Sequence, residues 1–309
     1  MNSKAMWRNI LVPTDFSGAA RQALQLAVRL AAPDCTVHVM HVITPTESDP
    51  YSPVRLRPEE QARQRLPEEV TDELLQQLIQ DVASEHASIA RAWRRASDVV
   101  GAILDYADTV EAELIVLGTH GRRGLRRFLL GSVAEAILRR ASVPVLTVRE
   151  QARVPEGIRH ILVPTDFSND ARMVLREAAR WAAHFQARLT LLHVLAPAVV
   201  PVSVTEVAAV YEVMPGLQQR LEEELARWLE VEVPPSVQAD YRVEEGPVDL
   251  TILEQARQQQ TDLIAIATHG RSGVARWLLG SVTERVLRQA PCPVLTLRHQ
   301  PVPATSAMY

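Results

Sequence analysis

The chain has 309 residues, 47% apolar and 23% charged, with a formal net charge of −4. That length fits two domains of about 100–200 residues, each able to bury a core without disulfide staples. The acidic balance argues against a long nucleic acid interface, the absence of any apolar run of about 18 residues argues against a membrane span, and with Lys4 as the sole lysine no Walker A loop can be built.

The N-terminal stretch "MNSKAMWRNILVPTD" has no apolar signal-peptide core, so a cytoplasmic protein is expected. Cys35 and Cys292 form no CxxC pair and read as buried thiols in a reducing compartment. "ILVPT" is a short apolar run ended by proline, a buried strand. Ser17 can cap the helix that follows, where Ala20, Leu24, Ala27, Val28 and Ala31 recur at helical spacing until Pro33. "TVHVMHVI" (Thr36–Ile43) alternates as a second strand, and a helix starting near Pro67 carries Val70, Leu74, Leu78 and Val82 on one face. "SIARAWR" (Ser88–Arg94) is a third strand; Asp98 opens a helix with Val99, Ile103, Leu104 and Ala107. "ELIVLG" is a fourth strand, a last helix covers about Ser132–Arg140, and "PVLTV" (Pro144–Val148) is the fifth strand.

The series then repeats. "NILVPTDFS" returns as "HILVPTDFS", "MHVI" as "LHVL", "ELIVLGTHG" as "DLIAIATHG" and "PVLTVR" as "PVLTLR", at offsets of 149 to 152. One domain is therefore written twice, over residues 1–150 and 151–309, joined by "EQARVPEG" (Glu150–Gly157), with a frayed tail expected over 299–309. Leu217, Leu221, Leu225 and Trp228 line the second half's counterpart of the helix near Pro67. Strands alternating with helices imply right-handed crossovers, so each half is a doubly wound α/β domain with a five-stranded parallel sheet flanked by helices. An apolar last strand must be paired or covered, and "PVLTV" can pair with "PVLTL" inside one chain to give a pseudo-dimer.

Doubly wound sheets bind ligands at the carboxyl ends of their strands. Asp15 and Asp166 fall there, although an aspartate between strand and helix is often a turn residue. Val42 and Val194 stand where the second strands exit and also read as core valines. "GTHGRRGLRRFLLGS" (Gly118–Ser132) follows the fourth strand. Gly118 and Gly121 allow positive φ, Thr119 and His120 add donors, and Arg122, Arg123, Arg126 and Arg127 bring positive charge. Gly131 opens a helix whose first amides can receive an anion. The competing reading is that Ser132–Glu135 and Ser281–Glu284 are capping boxes, which would satisfy those amides from within.

The pattern Gly118-x2-Gly121-x9-Gly131-Ser132, with "THGR…LLGSV" before "PVL", resembles the nucleotide-binding type of universal stress protein, over both halves. The resemblance implies ATP as ligand, with Mg2+ held mainly by its phosphates. It places Pro13, Thr14 and Asp15 near the adenosine, Val42 at the adenine edge, and Gly118, Thr119, His120, Gly121, Arg122, Gly131, Ser132 and Val133 around the ribose and phosphates. The matching set in the second half is Pro164, Thr165, Asp166, Val194, Ala267, Gly270, Arg271, Gly280, Ser281 and Val282. Ala267 departs from the pattern, standing where the first glycine should be, and leaves the second site open. Micromolar affinity needs about −8 kcal/mol, while a helix N-terminus gives at most ~2, so adenine burial has to share the work.

Two functions follow beside the binding module: a slow ATPase, and a nucleotide-free interaction protein on the same fold. Adenylating enzymes are disfavoured, because neither an SGGxDS-type loop nor a HIGH-type motif is present. The expected partners are an adenine nucleotide, a second copy of the tandem chain and a protein partner without a name, with neither nucleic acid nor membrane. The proline-rich segment Thr44–Pro67 and the apolar Ala196–Pro215 differ enough that the halves are not expected to be equivalent.

Overall fold

The computed structural model describes residues 5–45, 67–82, 88–119, 130–196, 216–268 and 279–298. The first half runs β1 (Asn9–Pro13), α1 (Gly18–Leu30), β2 (Thr36–Ile43), α2 (Pro67–Gln80), β3 (Ser88–Arg95), α3 (Val99–Thr109), β4 (Leu114–Gly118), α4 (Ser132–Arg140) and β5 (Val145–Val148). The second runs β6 (His160–Pro164), α5 (Asn169–Phe185), β7 (Arg188–Leu195), α6 (Leu217–Glu232), β8 (Ala239–Glu245), α7 (Val248–Gln258), β9 (Leu263–Ala267), α8 (Ser281–Gln289) and β10 (Val294–Leu297).

All ten strands form one sheet in the order β3-β2-β1-β4-β5-β10-β9-β6-β7-β8. Pairing within each half is parallel. At the centre β5 and β10 run antiparallel, with Leu146 opposite Leu295. These leucines are equivalents in the repeat, so a local two-fold axis passes between them. Thr147 and Thr296 donate across this seam to the carbonyls of Val294 and Val145, each at 3.2 Å.

Period-two alternation sorts the strand side chains onto two faces. Ile10, Val12, Val37 and Val39 pack under α1 and α2 in a cluster that continues through α5 and α6. Leu11, Met40 and Val42 face the other way, into a cluster shared by α3, α4, α7 and α8. Both clusters cross from one half to the other. Trp7, just before β1, sits edge-on to Trp181 of α5, with ring centroids 4.8 Å apart. Two arginines also reach across: Arg149 donates to the Ala290 carbonyl at the end of α8, and Arg298 to the Arg139 carbonyl in the last turn of α4. Both place a cation at a helix C-terminus, where the dipole favours it.

One core position was misassigned from spacing. The buried residues of α2 include Leu75 rather than Leu74, because the apolar stripe drifts by one position against the sheet.

Candidate functional site

In each half the strand order reverses direction beside the first strand, between β1 and β4 and between β6 and β9. A crevice at that switch point is where a doubly wound sheet accepts ligands. Asp15, the end of β2, Gly118 and the start of α4 all meet at this edge.

The turn after β1 is fixed by its own side chains. Thr14 Oγ1 accepts from the Phe16 amide, Asp15 Oδ1 from the Ser17 amide, and Ser17 Oγ from the Ala20 amide, at 3.0, 3.0 and 3.2 Å. The last bond caps α1. Phe16 is held at φ 63°, a left-handed conformation that a bulky residue seldom adopts. Its ring lies against His41, 4.7 Å between centroids. His41 Nδ1 is 2.7 Å from the Thr14 carbonyl oxygen, and since that oxygen only accepts, Nδ1 carries the proton. The second half copies every part: Phe167 at φ 61°, Asp166 bonded to the Ser168 amide, and His193 Nδ1 2.8 Å from the Thr165 carbonyl. The sequence reading missed both histidines, although they stand inside the repeated "MHVI" and "LHVL". Asp15 and Asp166 do serve the turn, and the turn presents them at the ligand edge.

Val42 has a buried side chain in the core, as the plain reading allowed. Its backbone matters more. β1 ends at Pro13, paired with Met40, and the Thr14 amide donates to the Met40 carbonyl. The amide and carbonyl groups of a parallel strand alternate between its two neighbours. The Ile43 carbonyl is taken on the β3 side by Ala96, so Val42 turns its N–H and C=O to the side where β1 has already stopped. Val194 does the same beside Pro164: the Leu192 carbonyl goes to Thr165 and the Leu195 carbonyl to Gly246.

Gly118 corrects an expectation. Its φ is not positive. A Cβ there would lie 2.7 Å from the Ala19 carbonyl carbon and 2.8 Å from the Ala20 amide, so the glycine lets the first turn of α1 close onto β4. The second half carries Ala267 and receives the extra methyl in its core. There the Ala267 carbonyl accepts from Thr283 Oγ1 at 2.7 Å, and the Thr268 amide to Leu297 carbonyl bond is 3.4 Å, against 3.0 Å for Thr119 to Val148.

The capping boxes are a second correction. Gly131, not Ser132, is the N-cap of α4, and Gly280 that of α8, and neither end has a side-chain cap. Glu135 and Glu284 reach forward instead, to Arg139 and Arg288. The Gly131 amide donates to the Thr119 carbonyl at 2.8 Å, and the Gly280 amide to Thr268 at 2.9 Å, which pins each helix start to the end of β4 or β9. A Cβ on Gly131 would stand 3.1 Å from that Thr119 oxygen. Ser132, Val133 and Ser281 are exposed at the helix starts, and Val282 is half-buried. Of the predicted set, His120, Gly121, Arg122, Gly270 and Arg271 lie outside the described residues, as do most of the two segments after β2 and β7 and the tail. Among the described residues no group of three or more His, Cys, Asp and Glu is placed to hold a metal, and no helix is long and apolar enough to cross a membrane.

The fold is a tandem of two doubly wound α/β domains joined in one sheet. The universal stress protein family matches the chain twice, over residues 6–149 and 157–298. A universal stress protein from Mycolicibacterium smegmatis is 30% identical over 304 residues, covering 94% of this chain and 96% of the relative. One from Methanocaldococcus jannaschii is 31% identical over 157 residues, 48% of this chain and 86% of its own. The crystal structure of a universal stress protein from Archaeoglobus fulgidus shares the fold with a TM-score of 0.59 at 23% identity, covering 94% of this chain and 98% of that one. The chain belongs to the universal stress protein family and carries two of its domains.

Proposed function

We propose that the protein is a cytoplasmic ATP-binding module of stress response or signalling, with little or no turnover. The observation that carries this reading is the combination at one edge of an outward-facing Val42 backbone and an α4 N-terminus without a side-chain cap. A peptide N–H and C=O offered side by side suit the donor and acceptor edge of adenine. An N-terminus without a side-chain cap suits a phosphate, and Gly131 brings that helix start close against the Thr119 carbonyl. Bound there, ATP supplies the anionic phosphates, and Mg2+ travels with them. Asp15 and Thr14 would border the ribose from a turn that is already fixed by hydrogen bonds. Those bonds favour a binding role for Asp15 over that of a general base.

The second half keeps the same frame, and Ala267 does not disable it. Gly118 answers to helix packing, not to the ligand, so we assign a second, altered site to Asp166, Val194, Gly280 and Ser281. The test is the nucleotide released by heat from purified protein, counted per chain, followed by calorimetric titration of the emptied protein with Mg-ATP. Gly131→Val should remove the first site and Gly280→Val the second. Absence of both nucleotide and binding heat would refute the ATP reading.

A further inference from the structure

The segment between the halves crosses the amino edge of the second half's strands, opposite the edge described above. Its path is fixed: Arg29 of α1 donates to the carbonyls of Val154 and Pro155, both at 3.1 Å, and the Arg153 amide donates to the Pro291 carbonyl at 2.9 Å. Between this segment and the starts of β6, β7 and β9 lies a cleft of about 480 Å³. Arg153, Arg159 and Arg188 all line it.

The floor is a polar chain that runs from the exposed Arg188 to the buried His160 and Thr190. Arg188 Nη2 donates to the Gln259 carbonyl at 3.3 Å, and His160 Nδ1 lies 3.3 Å from both that carbonyl and Arg188 Nη2. His160 Nε2 is hydrogen-bonded to Thr190 Oγ1 at 2.9 Å. Burial first, and the Arg188 charge second, hold the imidazole below its ordinary pKa. Asp262 is engaged from three sides, by Arg153 at 2.5 Å and by the amides of Arg159 and His160 at 2.9 and 3.1 Å.

The charges do not cancel. Asp262 offsets Arg153. Among the described residues no carboxylate is paired with the guanidinium of Arg159 or Arg188, and Glu156 is the other acid lining the cleft. The first half keeps Arg8 and Glu113 where Arg159 and Asp262 stand, with the Arg8 amide on Glu113, but Asn9 and Thr36 replace His160 and Arg188. We propose that this cleft binds a small phosphate-bearing dianion, free phosphate or a phosphate monoester, between the guanidinium groups of Arg159 and Arg188. Guanidinium forks match phosphate oxygens in pairs. The Gln259 carbonyl holds the Arg188 guanidinium, and Arg159 leaves from a backbone amide fixed by Asp262. The site is independent of the nucleotide edge.

The experiment titrates the full chain with inorganic phosphate at constant ionic strength, with chloride as the balancing anion. It reads the imidazole nitrogen signals of His160, assigned by their loss in His160→Gln. A saturable shift is expected, weakened at least about tenfold by Arg159→Gln or Arg188→Gln, as for loss of a charge-assisted bond. Glu156→Gln should tighten binding about twofold or more by removing a like charge. Gly131→Val should leave the titration unchanged. A parallel titration with a sugar phosphate separates the free anion from its monoester. A shift that rises linearly without saturating, or that is the same in the Arg159→Gln, Arg188→Gln double variant, overturns the site.

Discussion

Gly118 is small because a helix lies against it, and that changes what its replacement should do. With a Cβ 2.7 Å from backbone of α1, Gly118→Ala should destabilise the fold by about 1–3 kcal/mol, as overpacking does, read from the midpoint of denaturant unfolding. Burial pushes the Cys35 thiol up to about 11 and the Cys292 thiol up to about 12. At pH 8 only about one Cys35 in a thousand is then thiolate. Both cysteines should react with a thiol reagent only as fast as the chain unfolds, which a denaturant series of labelling rates would check. Burial also lowers the pKa of His38, His160 and His184. Below an unfolded value of about 6.5, the unfolded chain then binds more protons than the folded one, so stability falls as pH drops. His160→Gln should flatten that dependence between about pH 7 and pH 5 in chemical unfolding curves. Repetition marks Asp15 and Gly131 in the sequence, and both lie at the carboxyl edge of the strands. It could not reveal why Gly118 is glycine, since the reason lies about a hundred residues away in Ala19.

Among the elements, the repeated serines did different jobs. Ser17 and Ser168 cap α1 and α5 through their hydroxyls. Replacing either by alanine should cost about 1 kcal/mol, visible as a lowered melting temperature. Ser132 and Ser281, unlike that pair, precede a glutamate by three residues, yet each sits one position inside its helix and the cap position is a glycine. The N-cap rule held for Ser17, while the capping-box rule misled on Ser132 and Ser281 because a glycine stands one place earlier. The pinning of Gly131 to Thr119 made it the cap. Strands and helix bounds were legible, because apolar runs and prolines punctuate them. Backbone direction at Val42 was not, since it depends on where the neighbouring strand stops.

Across the whole molecule, two cores run through the central seam. Heating the intact chain should therefore give one cooperative transition in calorimetry, with matching calorimetric and van't Hoff enthalpies. A fragment of residues 1–156 exposes the β5 edge, with Val145, Leu146 and Val148 otherwise buried. It should associate into dimers through that strand, measurable by sedimentation. The fusion of the halves matters beyond stability. In a symmetric dimer every substitution appears twice, so both crevices must accept it together. Here Gly118 and Ala267, Asn9 and His160, and Thr36 and Arg188 are partners in space that differ in kind. The antiparallel seam also points the two carboxyl edges in opposite directions. Each half is free to acquire its own chemistry while the other holds the shared frame, and each can be read by a different neighbour from a different side.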